Sequence, residues 1–343
     1  MNTLHPRILV IRNDKLGDFM LAWPALAMLR ENMPGARITV LVPGYTAPLA
    51  EICPYVDEVM LDLQLSGEWR SARMLARTMK QKEFSAVITL FSRFDTGLAA
   101  WLAGIPYRLA PATKLAQIFY NRHLRQRRSE STKPEYEYNM DLVREFLDKR
   151  GINDIKLVSA PYLQFEDMEI RELKRQFREK HQIPESHKLV FIHPGHGGSA
   201  SNLSLIQYAA LARNLYSRLG HHVVLTAGPG EEPQVRELSA LLAAVPHSSY
   251  FSRAGLVQFA RHLQMSDIFI SGSTGPLHIA GALNRFTAAF YPRRRSSTAL
   301  RWQTVNDQHR RLAFMPPAGS DEDDMSAIDA VQCAGEISNH FLQ

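Results

Sequence analysis

The sequence predicts an α/β chain built from two doubly wound halves. Three observations carry the prediction. Strand-like apolar runs alternate with amphipathic helical stretches along most of the chain. In each half one such run ends in a glycine-punctuated turn that leads into a helix: Ile8-Leu-Val-Ile-Arg-Asn-Asp-Lys-Leu-Gly-Asp18 and Ile268-Phe-Ile-Ser-Gly-Ser-Thr-Gly-Pro-Leu-His278. The 343 residues also exceed the size at which a single core goes on growing. A strand, a glycine turn and a helix in succession place backbone N–H groups at the carboxyl edge of an open sheet, where such sheets hold anions. Two of these turns predict two sheets facing one cleft.

Along the first half, strands are predicted over 8–11, 38–42, 58–61 and 86–90, with helices over 19–31, 71–81 and 96–103. The first helix is marked by Met20, Leu21, Trp23, Leu26, Ala27 and Met28 at helical spacing. Between 114 and 133 the texture turns Arg-rich, with Arg122, His123, Arg125, Arg127 and Arg128. That cluster reads either as a solvated face or as a patch for a phosphorylated acceptor. A crossing segment over 151–165 leads to a charged helix over 166–181 and a turn at 184–187. The second series places strands at 189–192, 222–226, 249–252, 268–271 and 287–291. Its helices are predicted over 205–219, 232–244, 256–265 and 276–283. The domains are therefore expected as 1–150, a linker at 151–165, 166–326, and a closing helix at 327–343. Both halves are Rossmann-like, with no internal sequence repeat.

Composition removes several function classes. Cys53 and Cys333 are too few and too distant for a disulfide framework or a zinc cluster, so a reducing compartment is expected. The N-terminus lacks a secretory pattern, and no apolar run approaches the roughly 18 residues that cross a bilayer. A cytoplasmic protein with at most peripheral contact to a membrane surface follows. The net charge of +6, from 40 basic and 34 acidic residues, favours phosphates or an anionic surface but is too small to imply nucleic acid.

Four segments can carry chemistry. In Asn13-Asp-Lys-Leu-Gly-Asp18, Gly17 permits a tight turn, and Asp18 either caps the helix it begins or faces outward as a general base. Asp14 is the rival carboxylate, and Lys15 is placed to neutralise one of the two. In His193-Pro-Gly-His-Gly-Gly-Ser-Ala-Ser-Asn202, Gly195, Gly197, Gly198, Ser199, Ser201 and Asn202 leave backbone N–H groups open to a diphosphate, and a flexible loop is the bland alternative. In the third, Ser273, Thr274, Gly275 and Pro276 form a helix start that suits an anion, and His278 is either packed beside the turn or a phosphate or ribose contact. In the fourth, Glu231 and Glu232 follow a strand end, where a carboxylate either caps a helix or holds ribose hydroxyls. Asp14, Lys15, Arg93, Arg122 and Arg125 stand as acceptor or charge candidates. No G-x-S-x-G, H-E-x-x-H or spaced metal-ligand set occurs.

Taken in order, these segments resemble glycosyltransferase family 9, the heptosyltransferases of lipopolysaccharide core assembly. The carrying residues are Arg12 through Asp18, Ala103-Gly-Ile-Pro-Tyr-Arg108, His193-Pro-Gly195, and Ser273 through His278 with Ala280 and Ala282. The resemblance implies a GT-B fold, with an acceptor on the N-terminal domain, an ADP-activated sugar, heptose or a related one, on the C-terminal domain, and a closing helix that crosses back to the N-terminal domain. It implies inverting, metal-independent transfer to a lipid-linked acceptor at the inner-membrane surface, without a cofactor. It casts Asp18 as base, Glu231 or Glu232 near the ribose, and Thr274-Gly275 near the diphosphate. The chain departs from the family at Asn202-Leu-Ser-Leu205, where a Lys is usual, and at Ser273, where Asp is usual. Lys15, His196 or the Arg293-Arg-Arg295 run are the substitutes for the lost charge, the Arg run reading first as a solvated or membrane-facing patch. A non-catalytic nucleotide-sugar binding protein, or a family member with another donor, are the alternatives. A dinucleotide oxidoreductase is disfavoured by the missing G-x-G-x-x-G.

Overall fold

The structure is a computed structural model that describes residues 5–63, 67–112, 115–195, 201–219 and 221–342. The chain divides into two compact units: residues up to Arg128 with Thr132–Ser159, and Ser129–Ser131 with the chain from Ala160 onward. The passage between them lies inside the predicted linker. Before it, Asn32 clamps both backbone groups of Lys156 (2.8 and 2.9 Å). After it, the Tyr162 and Leu163 amides donate to the Ala282 carbonyl.

The first unit runs β1 (Arg7–Ile11), α1 (Leu16–Met20), α2 (Trp23–Asn32), β2 (Arg37–Pro43), α3 (Ala47–Glu51) and β3 (Glu58–Asp62). It continues with α4 (Glu68–Gln81), β4 (Ala86–Thr89), α5 (Phe94–Leu102), β5 (Tyr107–Pro111), β6 (Arg122–Leu124) and α6 (Glu135–Asp148). Its sheet has the order β3-β2-β1-β4-β5-β6, and all its pairings are parallel. The central strands are buried on both faces, which is why they read as unbroken apolar runs. On one face Leu75, Ala76 and Met79 of α4 and Leu98 and Ala99 of α5 close over Leu9, Ile11 and Val87.

The helix predicted over 19–31 is two helices, α1 and α2, separated at Leu21–Ala22. The reason is Pro24. Inside one long helix it would delete a hydrogen bond and clash with the preceding turn, whereas a helix restarted at Trp23 holds Pro24 in its first turn, where no N–H is needed. The carbonyl of Leu21, at the junction, accepts from Asn139 Nδ2 at 3.0 Å. Strands β5 and β6 and helices α3 and α6 are additional to the predicted elements. The Arg-rich stretch thus contributes an edge strand, too short and polar to show a strand pattern.

The second unit runs α7 (Asp167–His181), β7 (Leu189–His193), α8 (Leu205–Leu219), β8 (His222–Ala227), α9 (Glu232–Leu241) and β9 (His247–Phe251). It continues with α10 (Leu256–Gln264), β10 (Ile268–Gly272), α11 (Gly275–Ala282), β11 (Phe286–Phe290), β12 (Arg311–Phe314) and α12 (Ala330–Ile337). The sheet order is β12-β11-β10-β7-β8-β9, again parallel throughout. Numbered from its own first strand, this is the order 3-2-1-4-5-6 of the first unit. The two halves repeat a topology that their sequences do not repeat. The closing segment, predicted as one helix returning to the N-terminal domain, is α12 followed by a wide turn over 338–342. Cys333, Ala334, Ile337 and Phe341 enter the core of the second unit beside Leu211 and Leu215 of α8, because this segment's apolar stripe completes that core.

Candidate active site

In a sheet of this order the winding reverses between the first and fourth strands, and the crevice at their carboxyl ends is where such folds hold ligands. In the first unit that edge carries the loop after β1. Arg12 leaves the strand end with its side chain 3% exposed, and its guanidinium lies over the Phe91 ring and bonds acidic and amide oxygens. Nε donates to Asp14 Oδ1 at 2.9 Å, Nη2 to Asp18 Oδ1 at 2.5 Å, and Nη1 to Glu135 Oε1 at 2.9 Å and Asn139 Oδ1 at 3.1 Å. Arg128 donates to the same Glu135 oxygen at 2.8 Å. Burial works against the charge on Arg12, but Asp14, Asp18 and Glu135 outweigh it and hold its pKa above the ordinary value. Arg12 is therefore a permanent cation in a dry setting.

Asp18 sits in the first turn of α1, whose N-cap is Lys15, with no side-chain cap. Capping is thus not its task in this structure. Arg12 holds one carboxylate oxygen, and Oδ2 makes no hydrogen bond among the described residues. Asp14 meets the other side of the same guanidinium, and its carboxyl is pushed up to about 6 by burial, with the charge of Asp18 adding and Arg12 opposing. The cation expected from Lys15 is supplied by Arg12 instead. Lys15 is exposed at the helix start, whereas Arg12 reaches the carboxylates from beneath.

A second ionic group lies along the same sheet edge. Asp62, at the end of β3, accepts from Asn13 Nδ2 (2.6 Å) and Arg93 Nη1 (3.2 Å). Arg93 also holds buried Asp95 through Nε (3.1 Å) and Nη2 (2.6 Å). Arg93 thus serves two carboxylates and is only partly exposed. Of the other charge candidates, Arg122 lies on the edge strand over the Tyr107 ring. Arg125 lines an open surface groove with Asp141, Glu145 and Asp148 of α6.

In the second unit the corresponding edge carries the turns after β7, β8 and β10. His193 ends β7 with its ring buried, Nδ1 3.0 Å from Thr226 Oγ1 and Nε2 3.2 Å from Glu231 Oε2. Glu231 also accepts the Gly228 amide at 2.8 Å. Its carboxyl lies so close to Gly195 that a Cβ there would stand 2.2 Å from Glu231 Cδ. Glu231 thus ties the turns after β7 and β8 into one surface. Glu232 is directed to Arg253 and Arg236 on the exposed side of α9.

Asn202 donates to the Pro194 carbonyl at 2.8 Å, and its Oδ1 accepts from Tyr208 OH at 2.5 Å and from the Leu203 amide. It stands 2.7 Å from the place a Cβ on Gly272 would occupy. The side chain therefore pins the loop over β10. Ser201 lies on the same approach, its carbonyl beside Gly272. Gly197, Gly198 and Ser199, together with His196, lie outside the described residues. Thr274 is the N-cap of α11, followed by Gly275 and Pro276 in its first turn, and Ser271 Oγ is 3.3 Å from Thr274 Oγ1. Ser273 and Gly275 are partly exposed there. His278 is buried, its Nδ1 has no partner among the described residues, and burial pushes its pKa down to about 4. The neutral ring offers a hydrogen bond rather than a charge.

The Arg293–Arg295 run is exposed at Arg294 and Arg295, as a solvated patch would be, but it is partly engaged within the protein. The Arg293 amide donates to the Glu322 carbonyl and its side chain bonds the Ser320 carbonyl, while Arg294 pairs with Asp323 at 3.3 Å. Of the three guanidiniums, Arg294 is the one paired with a carboxylate of the acidic run among the described residues, and Arg295 is exposed. Both cysteines are buried, and burial first pushes each thiol up to about 12, so they are inert.

The residues missed by sequence reasoning are Glu135 and Asn139 of α6, Asp62 and Asp95. The apolar spacing Tyr138, Leu142, Phe146 marks α6 as an amphipathic helix, but nothing in one sequence tells that Glu135 meets a residue more than a hundred positions earlier.

Two parallel doubly wound units with ligand-type turns at both switch points define a GT-B protein. The sequence pattern of glycosyltransferase family 9 (heptosyltransferase) matches residues 72–315, and the chain belongs to that family. It is 46% identical, over 97% of its length and 96% of the relative's, to a Haemophilus influenzae protein whose name goes no further than glycosyltransferase. It is 25% identical to lipopolysaccharide heptosyltransferase 2 of Escherichia coli, over 83% of this chain and 82% of that one. Among solved structures, a family 9 glycosyl transferase from Veillonella parvula superposes with a TM-score of 0.81 at 19% identity, covering 100% of this chain and 99% of that one. The E. coli ADP-heptose lipopolysaccharide heptosyltransferase II superposes with a TM-score of 0.77 at 21% identity, covering 98% and 99%. The protein is a glycosyltransferase with this fold.

Proposed function

We propose that this glycosyltransferase moves heptose, or a closely related sugar, from an ADP-activated donor to a lipid-linked lipopolysaccharide core acceptor, with inversion and without a metal. The observation that carries the reading is the Arg12–Asp18 pair at the first switch point. A carboxylate gripped by one oxygen and open at the other is oriented as a general base. In the mechanism Asp18 takes the proton of an acceptor hydroxyl as that oxygen bonds to the anomeric carbon, and the bond from that carbon to the diphosphate breaks. Attack from the face opposite the leaving group inverts the centre. The departing diphosphate carries the electron pair, and the amides at the start of α11, with Thr274 and Gly275, meet its charge. His278 supplies a neutral hydrogen bond beside them. Glu231 stands at the strand end suited to ribose hydroxyls, and its ties to His193 and Gly228 fix its direction. The protein works in the cytoplasm, on the inner face of the membrane that carries its acceptor.

Ser273 and Asn202 support a second reading, a donor sugar other than heptose. Ser273 presents a hydroxyl where the family usually carries a carboxylate, and Asn202 is engaged within the protein.

A thermal-shift panel of ADP, UDP, GDP and CMP, followed by transfer assays with the corresponding sugars, tests the reading. ADP is expected to stabilise the protein, and Asp18→Asn to keep that shift while losing transfer by a factor of about 10²–10⁴. A shift with another nucleotide alone would move the donor, and unchanged transfer by Asp18→Asn would remove the base.

A further inference from the structure

The first unit carries an aromatic and basic face that the transfer chemistry does not use. Trp69 at the start of α4 and Trp101 near the end of α5 are 60% and 53% exposed, and Ile118, in the turn over 115–119, is 72% exposed. They are not scattered. Trp69 meets the Phe94 ring edge-on at 6.0 Å, Phe94 meets Phe119 at 5.1 Å, and Phe119 meets Trp101 at 6.4 Å. Four rings thus form one ladder across three elements, and Leu102, next to Trp101 in the chain, and Met74 of α4 are exposed as well. Single exposed apolar residues are ordinary, but a contiguous patch marks an interaction surface.

The charge on α4 identifies the partner. Ala72, Leu75, Ala76 and Met79 face the core. Arg70, Arg73, Arg77 and Lys80 recur at spacings of three and four, so they form one exposed row along the helix. None of the four makes an ion pair among the described residues, and Glu68 is the only acid on the helix. A protein partner would need carboxylates matched to that row, whereas a bilayer of anionic phospholipid offers phosphates at every point along it. Tryptophan also suits the layer between head groups and acyl chains, because its ring is apolar and its N–H is polar.

We propose that the α4–α5 face is the membrane-docking surface of this protein and that it takes anionic phospholipid head groups, with Trp69, Trp101 and Ile118 entering the interface. This deepens the reading of a lipid-linked acceptor and rests on it for its purpose, but not for its chemistry.

The test uses the full chain with vesicles of phosphatidylcholine alone and of phosphatidylcholine with phosphatidylglycerol in equal parts. Co-sedimentation is expected with the anionic vesicles only, and acyl chains brominated near the head group should quench tryptophan emission. Each basic residue near the surface contributes about a fivefold factor in partitioning. Arg73→Glu with Arg77→Glu should therefore weaken binding at least tenfold, and Trp69→Ser with Trp101→Ser should abolish the quenching. Circular dichroism verifies that both variants are folded. Binding that neither variant changes, or no binding to anionic vesicles, overturns the proposal. Transfer to a water-soluble acceptor fragment separates the two readings. Retained transfer with lost vesicle binding supports the docking surface, and vesicle binding by a protein that transfers no sugar defeats the transferase reading alone.

Discussion

Replacing Arg12 by Met tests how the first switch point is held together. The substitution keeps much of the side-chain volume and removes the cation from Asp14, Asp18 and Glu135. Removing one partner of a buried ion pair costs about 3–5 kcal/mol, because the other charge stays desolvated and unpaired. Here a guanidinium only 3% exposed serves three carboxylates and Asn139, so the loss belongs at the upper end, about 5 kcal/mol at pH 8. The sign with pH follows. Without Arg12 the Asp14 carboxyl, already raised to about 6 by burial, loses the charge that opposes that burial, so the stability of the variant is fullest below about pH 4 and is lost as pH rises through the folded value. The deficit against the parent protein should therefore shrink between pH 8 and pH 5. Arg12→Lys separates charge from geometry, since one ammonium cannot span acceptors that approach the guanidinium from three sides. It should recover part of the stability and little of the transfer. Hydrogen exchange of β1 and β4 amides reads the first unit by itself. A loss below 1 kcal/mol, or one that grows toward acid pH, would show that Arg12 does not hold the three carboxylates.

Other expectations can be checked in the same way. Asp14 is raised to about 6 by burial first, so it contributes stability present below about pH 4 that is lost as pH passes 6. Asp14→Asn should be about 2–3 kcal/mol ahead of the parent at pH 8 and level with it near pH 4, and equal pH slopes in the two proteins would refute this. His278 is lowered to about 4 by burial, so its contribution is present above about pH 6.5 and lost as pH falls toward 4. His278→Leu should flatten that acid limb by about one proton in hydrogen exchange of β10. Gly195→Ala places a methyl 2.2 Å from the Glu231 carboxyl carbon. It should cost about 1–3 kcal/mol and weaken nucleotide binding in calorimetry, whereas parent-like affinity would argue that Glu231 yields freely.

The repeated βαβ rhythm was readable because parallel strands buried on both faces are unbroken apolar runs, as in Ile8–Ile11 and Ile268–Ser271. The glycine turns were readable because close backbone approach admits few residues. Gly195 beneath Glu231 and Gly272 beneath Asn202 are glycines for that reason. Edge strand β6 was not readable, since three residues, two of them exposed and polar, carry no periodicity. The ordered motif set carried the family and marked Asp18.

The sequence by itself therefore determined the fold class, the two switch points and the residue types at each, because local conformation and burial leave a periodic trace in the chain. Only the tertiary structure decided who pairs with whom. It chose Arg12 over Lys15 as the cation for Asp18, brought Glu135 and Asn139 of α6 behind that cation, turned Glu231 toward His193, and paired Arg294 with Asp323. Ion pairs act at a few ångströms in space between residues far apart in the chain, and no spacing in one sequence encodes that proximity.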